Sequence, residues 1–400
     1  MKRAVILIFI LTCVACTKTQ DNIVTVTWWQ FWAEPYQKPV IQDLIRKFEL
    51  ENPGIKIQMT ELTWQTGHDK ITAAFAANRA PDVVELGSDW IYEFIAGGVI
   101  KNITPQTDSI HDLFWGWEMA TVDSQIYAFP WMLGSRVIFI NNDHIQQPIN
   151  DWNQWLAAVK AAHKPESGIY GFGNTKREPH QLYKKILPFF WSNGGDIILQ
   201  NGKSASLNDE RNVHALEFYL KLCELGLLES QKNLDDYFTQ GKIGCVISGG
   251  WLIKKITDQN PGLNYTVLPM PKTSLQSEIP GYSFLGGEFL AVNTQSENAE
   301  AAIRFIRFLM RKDNVLPLST LSKVTTPAAK DGIDDDYFQN APFEKILYQQ
   351  MLISKPSPLH PKWTVIERIL EEEVEQAMYR NKTARQALND AQKRVEDIVH

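Results

Sequence analysis

The sequence predicts an α/β protein made of open, mostly parallel sheets, and three observations carry that prediction. Val83 to Leu86 is a short, almost wholly apolar run of the kind buried on both faces of a parallel sheet, while Ile55, Ile57 and Met59 alternate at the period of a strand. Between such strands, apolar residues recur at helical spacing, as Val40, Ile41, Leu44, Ile45 and Phe48 do. Finally, about 385 residues remain once an N-terminal export signal is set aside. That is more than one hydrophobic core accommodates, so two lobes are expected.

The elements follow in order. Ile23 to Trp28 alternates as the first strand and runs into Trp29-Gln30-Phe31-Trp32-Ala33-Glu34-Pro35, a loop with three aromatics. The helix from Val40 is stopped by Asn52-Pro53-Gly54, and the strand at Ile55 completes a βαβ unit. Ile71, Ala74 and Phe75 mark the next helix, Ala80-Pro81 a break and Val83 the third strand, after which Ser88 or Asp89 is placed to cap a helix. The grammar restarts with a strand over 136–141 and a helix opened by Asp151, with Trp152, Trp155, Leu156 and Val159 inward. Val213, Leu216, Leu220 and Cys223 stripe a longer helix that ends at Gly226. Lys242 to Ser248 reads as a strand passing through Gly249-Gly250 into a helix near Trp251. A proline-rich stretch over 269–280 precedes a strand at 288–293 and a helix at 299–310. The last third is helical: Thr383 and Gln386 fit a capping box, with Ala387, Leu388, Ala391, Val395 and Ile398 on the buried face.

The opening residues, MKRAVILIFILTCVACTKTQ, decide where the chain works. Lys2 and Arg3 precede an apolar run, Ala4 to Leu11, that is well short of the ~20 residues needed to span a bilayer, and small residues before Cys16 suit peptidase cleavage. Val14-Ala15-Cys16 resembles the lipobox of bacterial lipoproteins, although Cys13 stands where leucine is usual. Lipidation at Cys16 is therefore expected, with the protein held at a membrane surface in the periplasm or on the cell exterior. The formal net charge of −6 is spread without a basic block, which argues against nucleic acid as a partner. Cys223 and Cys245 are expected as separate buried thiols rather than a disulfide. The eight histidines show no metal spacing, and no P-loop, dinucleotide fingerprint or Gly-x-Ser-x-Gly elbow occurs, so no metal or cofactor is expected.

Eight segments in collinear order resemble the carbohydrate-binding family of extracellular solute-binding proteins of bacterial ABC importers. They are IVTVTWWQFW with LIRKFELENPGIKIQ, APDVVEL with GGVIKNIT, IYAFPWMLGSRVIFINN, FTQGKIGCVISGGWLIKKI, GGEFLAVNTQSENAEAAIRFIRFLM and NKTARQALNDAQKRVEDI. The resemblance implies a two-lobed, class II periplasmic binding fold with three crossovers between the lobes, near Pro130-Trp131, Gly281 to Leu285 and Lys323 to Pro327. Residues 1–20 would be signal and tether, 21–131 with 285–322 the first lobe, and 132–284 with 323–400 the second. It also implies a monomer that closes on a ligand by hinge bending and hands it to a membrane permease with its own cytoplasmic ATPase.

A sugar presents apolar C–H faces and a rim of hydroxyls, so its binder needs flat aromatic surfaces and planar polar groups. Thirteen tryptophans are available, and several residues fall at predicted strand ends or breaks: Trp29, Phe31, Trp32, Trp64, Trp90, Trp131 and Trp251. The resemblance singles out Trp251 and Trp363 as positions that stack on sugar rings. Trp117, Trp152 and Trp155 are assigned to packing. The polar candidates are Glu34, Gln65, Asp89, Arg136, Asn193 and Glu288, with Arg136 suited to a diol or a uronate carboxylate. Gly249-Gly250 and Gly286-Gly287 would let backbone approach a ligand, although tight turns explain glycine pairs equally well. Two alternatives stay open: a binder of the same fold for a polyamine, a phosphate ester or ferric iron, and an exported glycosidase using Glu34 and Glu288.

Overall fold

A computed structural model describes residues 23–198, 204–323 and 326–399. Cys16 and the export signal lie outside these residues. The strands are β1 (Val24–Gln30), β2 (Ile55–Glu61), β3 (Val83–Gly87), a short hairpin of β4 (Thr121–Val122) and β5 (Gln125–Ile126), β6 (Phe129–Gly134), β7 (Val137–Asn141), β8 (Tyr170–Thr175), β9 (Gly226–Glu229), β10 (Ile243–Ser248), β11 (Tyr265–Leu268), β12 (Gly286–Val292) and β13 (Thr326–Pro327). One sheet has the order β13-β6-β12-β3-β1-β2 and the other β11-β7-β10-β8-β9, and each is the spine of a lobe. Helices cover both faces of each sheet. In the first lobe one face packs Val26, Trp28, Trp131 and Leu290 against Ile41, Leu44, Phe48, Phe305 and Leu309, and the other packs Val84, Leu86 and Phe289 against Ile71, Ile91 and Phe94.

The expected elements form for the expected reasons. Asp151 caps the helix Trp152–Ala162 by accepting the Gln154 amide at 2.8 Å. Both halves of the capping box are present: the Thr383 amide donates to Gln386 Oε1 at 2.9 Å and the Gln386 amide to Thr383 Oγ1 at 3.2 Å. Trp117, Trp152 and Trp155 are buried, and Cys223 and Cys245 are free thiols, Cys245 taking a hydrogen bond from the Trp155 indole.

The sheets are mixed rather than mostly parallel. β1 is parallel to its neighbours β2 and β3, and β8 to its neighbours β9 and β10, but β12 runs antiparallel to both β3 and β6. The reason is the interlobe connections: a strand that arrives directly from the other lobe starts at the cleft and runs away from it, opposite to strands that a helix crossover returns toward it. The crossings also shift. The chain leaves the first sheet at Gly134 and enters the second at Val137, so the first crossing falls at Ser135-Arg136, downstream of Pro130-Trp131. The second lies between Phe284, which packs in the second lobe, and Leu285, which packs in the first. Thr326-Pro327 pairs with β6, and Lys355 bridges to Phe284, which carries the third crossing beyond 327 and keeps residues from 323 onward in the first lobe for longer than expected. The helix Pro342–Leu352 spans both lobes, with Leu347 in a second-lobe cluster and Met351 in a first-lobe one.

Candidate functional site

The carboxyl ends of β1, β2 and β3 converge on an aromatic wall. Phe31, just after β1, stacks on Trp64, after β2, with centroids 4.1 Å apart and planes at 17°, while Trp90, after β3, lies 5.5 Å from Trp64. Trp64 keeps 41% of its surface exposed, so this stack presents a free indole face. His68, at the start of the next helix, packs edge-on to Trp90 at 5.1 Å and hydrogen-bonds Glu93. Helix N-termini and strand ends meet here because a parallel sheet aims them at one edge.

The second lobe faces this wall with charged groups. Asp89, beside Trp90, accepts the Tyr183 hydroxyl at 2.7 Å and pairs with Lys184 at 3.2 Å. Burial alone would raise the Asp89 pKa, but Lys184 and Tyr183 more than offset it and hold the carboxyl below its ordinary value. His180 approaches both His68 (5.2 Å between ring centroids) and Trp90 (5.9 Å) and hydrogen-bonds Glu367. Trp363 packs edge-on to Tyr183 at 5.3 Å, and its indole N–H is buried with no acceptor among the protein groups. Arg136 sits at the first crossing with its guanidinium 5.7 Å from the ring centres of Trp251 and Phe284. The Trp251 indole donates to Asp235 at 2.8 Å, and the neighbouring Lys185 ammonium donates to the Ile247 carbonyl.

A family model for bacterial extracellular solute-binding proteins matches residues 43–343. The chain is a bacterial extracellular solute-binding protein. It is 25% identical over 386 residues to a Brucella abortus protein named as a binding protein, covering 90% of each chain. It is 23% identical over 365 residues to the galactooligosaccharide-binding protein of Bacillus subtilis, covering 85% of this chain and 83% of the relative. Its fold superposes with a TM-score of 0.84 on an ABC transporter solute-binding protein of Thermotoga lettingae bound with α-D-tagatose, at 20% identity, covering 94% of this chain and all of that one.

In this solute-binding protein, Phe31, Trp64, Asp89, Trp90, Arg136, Trp251 and Trp363 gather at the interlobe face just described. Others are spent elsewhere. Trp131 is buried against Trp28 and Trp32, with centroids at 6.0 and 5.6 Å, and Trp29 is half-buried in the first-lobe core. The Trp32 indole donates to Glu288 at 2.9 Å. Burial pushes the Glu288 carboxyl up to about 8. Asn193 closes the far end of the helix Tyr183–Ser192, its amide on the Arg211 carbonyl at 2.7 Å, which puts it ~15 Å along the axis from Tyr183. The amide and carbonyl of Gly287 are both committed to Ser88, and a Cβ at Gly249 would strike the Trp251 ring, so packing accounts for these glycines. Glu34 and Gln65 are exposed, Glu34 in the turn before the helix Lys38–Glu51.

His68, His180, Tyr183, Lys184, Lys185, Asp235, Phe284 and Glu367 escaped the sequence reading. The one local sign was Lys184-Lys185 inside the apolar run YKKILPFFWS, since lysines are seldom buried without partners. Among the described residues no group of three or more His, Cys, Asp or Glu is disposed to hold a metal ion, and no helix is long and apolar enough to cross a membrane.

Glu371 gives this lobe a pH dependence. It accepts the amides of Gln181 and Tyr183 at 3.0 and 3.3 Å, and burial together with Glu367 raises its carboxyl to about 8. The folded protein therefore keeps a proton that the unfolded chain has already lost above its ordinary value of 4.5, and stability falls as pH rises through that window. Glu371→Gln preserves an acceptor for both amides and removes the charge. Its melting temperature should match wild type near pH 5 and exceed it near pH 8. Equal melting curves at both pH values would show that Glu371 titrates normally.

Proposed function

We propose that this protein captures a sugar between its lobes and delivers it, in the closed form, to an inner-membrane permease driven by a separate ATPase. The observation that carries this reading is the aromatic wall of Phe31, Trp64 and Trp90, with the Trp64 ring exposed, beside the polar groups Asp89, Tyr183 and Lys184 that join the lobes. Indole faces suit the C–H face of a pyranose, and the planar donor fork of Arg136 suits the polar groups on its rim. The sugar-binding relatives support the same ligand class. The protein acts as a monomer, anchored through a lipid on Cys16, and catalyses nothing: Glu288, one half of the glycosidase pair, is taken by the Trp32 indole.

A thermal-shift screen tests this with sugars set against polyamines and glycerophosphodiesters, because a ligand that binds only the native state raises its melting temperature. Stabilisation by at least one mono- or oligosaccharide is the expected result. Stabilisation by polyamines or phosphodiesters alone would replace the sugar reading.

A further inference from the structure

Arg136 stands at the first crossing between the two sheets. Its backbone is pinned on both sides by one hydroxyl: the Arg136 amide donates to Ser283 Oγ at 3.1 Å, and Ser283 Oγ donates to the Arg136 carbonyl at 2.7 Å. The guanidinium lies 5.7 Å from the ring centres of both Trp251 and Phe284, and its Nε is buried with no hydrogen-bond acceptor. Two aromatic faces stabilise a cation but accept no in-plane hydrogen bonds, and a guanidinium carries five donors.

The nearby acids are already committed. Asp89 is taken by Tyr183 and Lys184. Asp235 is taken by the Trp251 indole and the Gln231 amide, each at 2.8 Å, and by the Ser248 hydroxyl at 3.0 Å. Lys185, next to Lys184, donates to the Ile247 carbonyl. One cationic fork is left over, set among the same rings that would hold a sugar.

We propose, resting on the sugar reading above, that the cleft is selective for an acidic sugar, a uronate whose carboxylate pairs bidentately with the Arg136 guanidinium. A carboxylate is planar, matches the two-pronged donor geometry of arginine and carries a single negative charge. A phosphate monoester brings nearly two charges, and the neighbouring Lys185 ammonium is buried and already spent on the Ile247 carbonyl.

Titration calorimetry on the full-length protein at neutral pH decides the matter, using uronate oligosaccharides matched in stereochemistry and length to neutral ones, with sugar phosphates as a third arm. At least one uronate should bind tenfold or more tightly than its neutral counterpart. Arg136→Gln should abolish that preference, and Arg136→Lys, which keeps the charge and loses the fork, should retain only part of it. Neutral sugars that bind as tightly as uronates would overturn this inference and leave the sugar reading standing. A preference for sugar phosphates would overturn the uronate assignment, and failure of every sugar to bind would overturn the sugar reading itself. The wild-type ratio of uronate to neutral affinity is decisive even if a variant fails to fold.

Discussion

Replacing Trp155 by alanine should lower the free energy of unfolding by about 3–5 kcal/mol and leave ligand affinity untouched in whatever fraction folds. Trp155 is completely buried. It lies nearly parallel to Phe189 at 5.7 Å, meets Phe172 edge-on at 5.7 Å and donates its indole N–H to the Cys245 sulfur at 3.3 Å. Truncation leaves a cavity that strand and helix backbones on either side cannot close, and it strands part of an aromatic cluster with Trp152 and Phe218. Trp251→Ala is the complementary change. Trp251 is only half-buried, one face toward Arg136, so its loss should cost ~1–3 kcal/mol of binding and much less stability. Urea unfolding gives the first quantity and calorimetry the second. If Trp251→Ala proves the more unfolding of the two, or binds with unchanged affinity, the division between packing and ligand contact is wrong.

How much of this was legible depends on how far each cause reaches along the chain. The capping box at Thr383 and the cap at Asp151 are made within three residues, and the strand over 83–87 declares itself by composition, so local pattern suffices. The helix Tyr183–Ser192 was missed because it is buried nearly all round and contains Pro188, which erases both the polar stripe and the usual helix-former signal. Asp89 shows the limit for the site. Its position after a strand suggests an N-cap, yet the helix Ile91–Ala96 starts at Trp90 without a side-chain cap, and the carboxylate reaches across to Tyr183. Nothing local distinguishes those roles, since the deciding partner is 94 residues away. The aromatic candidates divided for the same reason: Trp64 follows β2 and stays exposed, whereas Trp131 lies inside β6, where the helices of the first lobe bury it as a core residue.

Asp89 should also be the most sensitive control point of closure. Its carboxylate is buried and joins the lobes through one hydroxyl and one ammonium, with Lys184 largely withdrawn from water. Asp89→Ala removes the counter-charge but leaves Lys184 in place, and stripping one partner from a buried pair typically costs about 3–5 kcal/mol. That penalty falls on the closed arrangement alone, because opening the lobes returns Lys184 to solvent. The population therefore shifts toward the open form, and apparent affinity falls by the share of molecules that no longer close unaided. Asp89→Asn should be intermediate: its side-chain oxygen still accepts the Tyr183 hydroxyl, while the ion pair is gone. Small-angle scattering without ligand should give radii of gyration in the order wild type, Asp89→Asn, Asp89→Ala, smallest first. Saturating ligand should bring all three toward the wild-type value, because binding restores the closure that the missing carboxylate no longer supports. Identical radii in the three ligand-free proteins would show that contacts other than Asp89, such as the His68 and His180 ring pair or Lys254 over Tyr36, hold the lobes together.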